Sequence, residues 1–281
     1  MNADGTALTF LDEIAVEEPL EIRVGHMTAA GYQTSSVSIT MRTPGADREL
    51  AAGFLLTEGV IRCAQDIVSL TESAKPGANI VRADLTPSVR FEPESQSRHF
   101  YTSSSCGICG KASLAAIAVR GLQPLPRQAL HLTPVMVHAL PAQLRQAQAT
   151  FQATGGLHAC ALFDGAANLI NAQEDVGRHN ALDKLIGRAL LAGQLPLHQN
   201  AVLVSGRASF ELVQKCVAAG VSILAAVGAP SSLAIDLAQE WDLTLLGFVR
   251  NNRFNIYSGA WRILHETANA PELSQAAAHP K

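Results

Sequence analysis

The run YTSSSCGICGKASL, residues 101–114, holds two cysteines, Cys106 and Cys109, two residues apart among glycines, with Lys111 close behind. A Cys-x-x-Cys pair supports three chemistries: half of a zinc site, a redox disulfide, or a nucleophile and its neighbour in sulfur chemistry. Structural zinc is the commonest use of such pairs and needs four ligands. His158 and Cys160 in GGLHAC offer the other two, on an expected strand where both face one way. A thioredoxin-like pair follows a strand and carries an aromatic and proline context that SSCGICGK lacks. The stretch does have flexible glycines, a nearby cation and a helix, ASLAAIAVRG, starting just behind. A cation and a helix N-terminus both favour the thiolate, which is the nucleophile. A mobile, activated thiol suits a group that must visit two partners.

Three further runs carry groups suited to anions. In EDVGRHNALDKLIGRAL, Arg178 and His179 fall in the first turn of an expected helix, where free backbone N–H groups attract negative charge; an ordinary capped helix is the competing reading. In VLVSGRASFELV, Ser205, Gly206 and Arg207 form a strand-to-helix turn at the carboxyl end of a strand, where open α/β sheets bind ligands, although such a turn is also a plain tight connection. A similar turn follows at VGAPSS. In GFVRNNRFNIYSG, Arg250 and Arg253 flank Asn251 and Asn252 after what reads as the last strand of the sheet. Two arginines and two amides there fit a nucleotide-bearing ligand, and a simple turn is the alternative. Cys63 and Cys216 read as core residues.

These residues need elements to hold them. LEIRV, SSVSITMRT, IVSL, NIVRADL and HFY read as short strands around an amphipathic helix in ADRELAAGFLLTEGVI. A proline-marked linker follows the cysteine helix, and a second helix runs from about Val135 or Pro141 to Gly155-Gly156. From Leu157 the pattern is a hairpin, HACALFD and NLINAQ, then helices alternating with AVLVSG, SILAAVG and TLLGFV, which predicts a largely parallel sheet. The expected architecture is α/β, or α+β overall. Residues 1–125 form a smaller N-terminal α+β domain ending in the cysteine loop and its helix, and residues 126–281 form an α/β domain.

The 281 residues are 48% hydrophobic, enough for a substantial core, and carry a formal net charge of −3, which argues against a nucleic-acid binder that works by neutralising phosphates. No apolar run approaches a membrane span, and the acidic N-terminus lacks the basic and apolar stretches of a signal peptide, so a cytoplasmic protein is expected. Five cysteines, an odd number, do not suggest a secreted disulfide framework.

Taken together, RTPGADRELAAGFLLTEGVI, SSSCGICGKASL, TGGLHACAL, EDVGRHNALDKLIG, SGRASFELVQK and FVRNNRFNIYS resemble the formate dehydrogenase accessory sulfurtransferase family, FdhD, in order from about Ile14 to Tyr257. The resemblance implies a cytidine-deaminase-like fold for the C-terminal part. It also implies an enzyme that moves sulfane sulfur from a cysteine desulfurase, through a cysteine persulfide, to the molybdenum bis(molybdopterin guanine dinucleotide) cofactor required by formate dehydrogenase. Cys106 would carry the persulfide with Cys109 assisting. The cofactor-binding segment would be Phe248, Val249, Arg250, Asn251, Asn252 and Arg253. Phosphate contacts at Arg178, His179, Ser205, Gly206 and Arg207 are our addition. A homodimer is implied, and no permanent metal is expected. His158 is followed by Ala159 and Cys160, and Ser105 precedes Cys106, so the His-x-Glu and Pro-Cys-x-x-Cys zinc motifs of the deaminases are not present. Two other readings stand beside sulfur transfer: a non-catalytic chaperone for the same cofactor, and a zinc-binding interaction module.

Overall fold

The structure is a computed structural model that describes residues 11–92, except 74 and 76, and residues 123–264. The expected strand HFY, the helix behind the cysteines and the C-terminal tail lie outside the described residues. In the N-terminal part, β1 (Glu18–Thr28) and β2 (Gly31–Arg42) form an antiparallel hairpin, followed by α1 (Asp47–Thr57), β3 (Ile67–Glu72) and β4 (Ile80–Leu85). These strands make one sheet in the order β2-β1-β4-β3, with β1 and β4 parallel.

The second sheet has six strands. The chain runs through α2 (Pro134–Ala147), α3 (Ala149–Thr154), β5 (His158–Phe163), β6 (Leu169–Asp175), α4 (Arg178–Leu191) and β7 (Ala201–Val204). It continues through α5 (Phe210–Ala219), β8 (Ile223–Ala226), α6 (Ser232–Glu240), β9 (Thr244–Arg250) and β10 (Arg253–Ser258). The spatial order is β10-β9-β8-β7-β5-β6. Only β7-β8 and β8-β9 pair in parallel. The sheet is therefore mixed, not largely parallel. Both hairpins enter it through connections too short for a crossover, and such connections allow only antiparallel pairing. β9 is also not the last strand: Asn251 and Asn252, at φ 52° and 53°, make the tight left-handed turn that folds β10 back onto it.

Strand alternation assigns the core. On β7 and β8, Val202, Val204, Leu224 and Ala226 face one apolar cluster, while Ala201, Leu203, Ile223 and Ala225 face another. The first cluster takes in α1, α4, α5 and the N-terminal sheet, and the second is closed by Val137, Leu140 and Leu144 of α2. The two central strands are covered on both sides, which is why AVLV and ILAA carry no polar residue. Cys216 sits in the first cluster, where burial pushes its thiol well up. Cys63 is only half-buried and is not a core residue.

The single helix expected up to Gly155-Gly156 is two helices. Thr133 caps α2 by accepting from the Met136 N–H, and Gln148 then leaves helical geometry at φ −92° and ψ 65°. The Glu174 carboxylate accepts the Thr150 and Phe151 N–H groups at 3.0 and 2.8 Å, satisfying the start of α3 that the break exposes.

α1 and α4 cross backbone to backbone. A Cβ on Gly53 would lie 1.9 Å from the Asp183 carbonyl oxygen, and one on Gly187 would lie 1.8 Å from that of Glu49. Beside the crossing, the buried Lys215 ammonium of α5 reaches Asp183 at 2.9 Å, Thr57 at 2.8 Å and Glu58 at 3.1 Å. The N-terminal helix is thus bolted to the helix whose first turn carries Arg178 and His179.

Candidate functional site

The carboxyl edge of the parallel strands is built from stacked loops. Gly228, after β8, donates to the Gly206 carbonyl at 2.9 Å, and Phe248, near the end of β9, donates to the Gly228 carbonyl at 3.0 Å. Two glycines here serve packing between loops. A Cβ on Gly228 would meet Arg207 Cγ at 3.0 Å, and one on Gly247 would meet Tyr257 and Pro230 at 2.8 and 2.9 Å. Gly206 differs: a Cβ there would approach only the His158 ring, at 3.6 Å. Gly206 is thus free of the close contacts that constrain Gly228 and Gly247, with the His158 ring beside it.

Register brings His158 to this point. Cys160 pairs with Val204 in antiparallel fashion, and Ala159 and Ser205 exchange bonds: the Ser205 N–H donates to the Ala159 carbonyl, and the Ser205 hydroxyl accepts the Ala159 N–H, both at 2.9 Å. Ser205 is thus a lock on the strand end, and His158 lies beside Gly206. Burial, with the charges of Arg178 and His179, holds the half-buried His158 imidazole below its ordinary pKa.

The first turn of α4 is fixed by Asp175, fully buried at the end of β6. Its carboxylate accepts the Gly177 N–H at 2.8 Å, the Asn180 amide at 3.1 Å and the Thr43 N–H at 3.2 Å, and pairs with the buried Lys184 at 2.7 Å. The β2–α1 corner therefore helps to set the turn. In that turn the Arg178 Nε is buried and has no hydrogen-bond partner among the described residues. A buried guanidinium donor left open is a group waiting for an acceptor. His179 Nε2 lies 3.2 Å from the Ser209 hydroxyl and 2.8 Å from Glu211, a bond that holds the Glu211 carboxyl below the usual range. Arg207 is exposed, on the turn into α5.

The Phe248–Arg253 segment makes a second cluster, joined to the first through Gly228. Phe248 has φ 55°, a left-handed conformation that a bulky side chain rarely adopts and that concentrates at ligand clamps. The Arg250 guanidinium lies 5.7 Å from its ring. Val249 points into the core. Arg250, Asn251, Asn252 and Arg253 are exposed at the hairpin tip, and the two arginines pair across it. Neither forms an ion pair with a described residue.

The structure thus gathers Arg178, His179, Ser205 and Gly206 in one place, with Arg207 at its rim and residues 248–253 on the adjoining hairpin. Cys106 and Cys109 lie outside the described residues. The sequence also placed Ser209 at the turn of Ser205, Gly206 and Arg207; it did not place His158 here, which only the pairing of β5 with β7 does, nor Glu211, which reaches His179 between the starts of α4 and α5. The partner in the zinc reading, Cys160, is fully buried, its thiol 3.8 Å from the Arg178 carbonyl, and burial pushes it well above an ordinary thiol. Among the described residues no three His, Cys, Asp or Glu side chains are grouped to hold a metal ion, and no helix is long and apolar enough to cross a membrane.

Fold and edge define the class first: a mixed α/β protein with two mixed sheets and arginine and histidine side chains gathered at one strand edge. The chain belongs to the FdhD/NarQ family, whose pattern matches residues 15–264. It is 49% identical over 267 residues to the sulfur carrier protein FdhD of Streptomyces coelicolor, covering 92% of each chain. It is 48% identical over 266 residues to that of Mycolicibacterium paratuberculosis, covering 92% of this chain and 94% of the relative. It is 42% identical over 265 residues to that of Anaeromyxobacter dehalogenans, covering 90% and 88%. In fold it is similar to a crystal structure described as a formate dehydrogenase accessory protein from Desulfotalea psychrophila, with a TM-score of 0.69 at 24% identity over 90% of this chain and 91% of that one.

Proposed function

We propose that the protein takes sulfane sulfur from a cysteine desulfurase and delivers it to the molybdenum bis(molybdopterin guanine dinucleotide) cofactor destined for formate dehydrogenase. The names of the relatives, sulfur carrier proteins at up to 49% identity, support the sulfur half of this reading. The observation that carries the acceptor half is the buried Arg178 Nε, unpartnered among the described residues, at an edge where Gly206 has no side chain and His158 stands beside it. That pairing suits a phosphate-bearing ligand.

In this reading the cofactor is the substrate. The Cys106 thiolate attacks the outer sulfur of the donor's persulfide, the donor's S–S bond breaks, and the donor cysteine leaves as thiolate. Sulfane sulfur must gain two electrons to leave as sulfide. Cys109 supplies them by attacking the inner sulfur of Cys106 and closing a disulfide. Arg178, His179, Ser205, Gly206 and Arg207 hold phosphates, while Phe248, Arg250, Asn251, Asn252 and Arg253 hold a guanine nucleotide end, with Val249 contributing backbone. The reading includes a cytoplasmic homodimer and a cytidine-deaminase-like C-terminal part, with two nucleotide sites for the two guanine arms.

Intact mass after incubation with a cysteine desulfurase and cysteine tests the carrier step. Wild type is expected to gain about 32 Da per sulfur, removable by reductant, and Cys106→Ala to gain none. Absence of the gain in wild type sinks the carrier reading, and stoichiometric zinc in its place favours the metal module. Separately, the double substitution Arg250→Gln and Arg253→Gln is expected to weaken GDP binding about tenfold or more, since each charge-assisted bond contributes about 1.5–3 kcal/mol. Both side chains are exposed, so the melting temperature should stay put. Unchanged GDP affinity would remove the hairpin from the site.

A further inference from the structure

His158 belongs to no step described above, yet it borders the space that Gly206 leaves. The inference here rests on the reading of this edge as a phosphate site and adds a residue and a property to it. The imidazole is half-buried, with Nδ1 and Cε1 at 3.6 and 3.7 Å from the position a Gly206 Cβ would take. Its ring nitrogens have no hydrogen-bond partner among the described residues. Arg178, within electrostatic reach of the ring, also has an unspent donor in its buried Nε. A buried, unspent Arg178 donor and a partly solvent-open imidazole beside Gly206 therefore belong to one group of charges.

We propose that His158 contacts a phosphate group in this pocket and that the pocket takes up a proton on the imidazole as the phosphate enters.

The groups around it decide the direction. From α4 come Arg178 and His179, while the exposed Arg207 follows Gly206 on the loop after β7. Glu211 of α5 is committed to His179, and Asp175 of β6 to Lys184. In the free protein the half-buried imidazole, desolvated and within reach of the charges of Arg178 and His179, is held below its ordinary pKa. An entering dianion cancels that field and offers an acceptor to a ring N–H, so the protonated form gains. A group whose pKa is higher in the complex than in the free protein makes binding tighter as pH falls from the bound value to the free value. Below the free value the gain levels off.

Sulfate is the probe because it remains a tetrahedral dianion while phosphates titrate. Calorimetric titration in two buffers of different ionisation enthalpy, from about pH 5.5 to about 8.5, spans the imidazole range. Wild type is expected to bind sulfate about tenfold more tightly at the acid end, with net proton uptake. His158→Gln, which retains a donor but cannot titrate, should bind weakly with a flat profile at an unchanged melting temperature. The imidazole resonances of His158 in wild type should move to the protonated position as sulfate is added, a readout that needs no variant. A pH slope that survives in His158→Gln, a flat slope in wild type, or resonances that ignore sulfate each overturn the proposal. The probe is independent of sulfur chemistry: failure of sulfur loading on Cys106 would remove the proposed function and leave this titration standing, and the reverse outcome would do the opposite.

Discussion

Gly187→Ala is expected to destabilise the protein by about 3 kcal/mol or more, at or beyond the upper end of what overpacking a core typically costs. The added methyl group would sit 1.8 Å from the Glu49 carbonyl oxygen and 2.7 Å from the Gly53 nitrogen, both backbone atoms of α1. A side chain in the way can rotate, whereas a helix backbone must move as a body. Separating α1 from α4 by the needed distance opens the apolar cluster that Leu50, Ala51, Leu182 and Ile186 share. For a chain of this size the melting temperature should fall by roughly 6–12 °C. Gly53→Ala should behave alike, since its Cβ would meet the Asp183 carbonyl at 1.9 Å. The double variant should fall short of the sum, because both open the same crossing. A melting temperature within about 2 °C of wild type for either single variant would show that the helices are not in backbone contact. Because α4 begins with Arg178 and His179, sulfate affinity should fall in the survivors as well.

The second large effect is expected at Lys215. Lys215→Met keeps most of the side-chain length but removes the ammonium that serves Asp183, Thr57 and Glu58. Asp183 is fully buried, and desolvation already raises its pKa; without Lys215 its charge would be uncompensated. Breaking a buried pair by removing one partner costs about 3–5 kcal/mol. Adding Asp183→Asn to Lys215→Met should recover much of that loss, because the neutral amide oxygen still accepts from the Thr57 hydroxyl. Urea midpoints at pH 7 decide it. If the single and double variants unfold together, the interaction between the two side chains contributes nothing measurable, and the loss must be assigned to packing around α5.

Much of the fold is legible in the residues. The alternation of AVLV, ILAA and TLLGFV with amphipathic helices reflects strands covered on both faces and helices covered on one, and periodicity reports burial directly. The turn at Arg178 and the loop at Ser205-Gly206-Arg207 were readable for the same reason: each follows a strand whose end is marked by a change of pattern. The six motifs were enough to place the chain in its family, since they recur in order along the matched residues 15–264.

Other features were decided only by tertiary structure. Strand order in a mixed sheet depends on which hairpin docks beside which parallel strand, a choice set by the whole apolar surface and not by any local pattern. That choice put β5 against β7 in antiparallel register and carried His158 to Gly206. It gave Ser205 a locking bond to Ala159 and turned Cys160 from a candidate ligand into core. Gly53 and Gly187, unremarkable in helical runs, became the contact between two layers because only the crossing of α1 and α4 makes their missing side chains matter. The sequence by itself determined most of the elements, though not β10 or the break between α2 and α3, together with the family and the cysteine pair with its neighbours. The pairing of β5 with β7 and the crossing of α1 with α4 determined which of its charged and polar groups share one edge, because such contacts depend on distance in space, which local propensity does not encode.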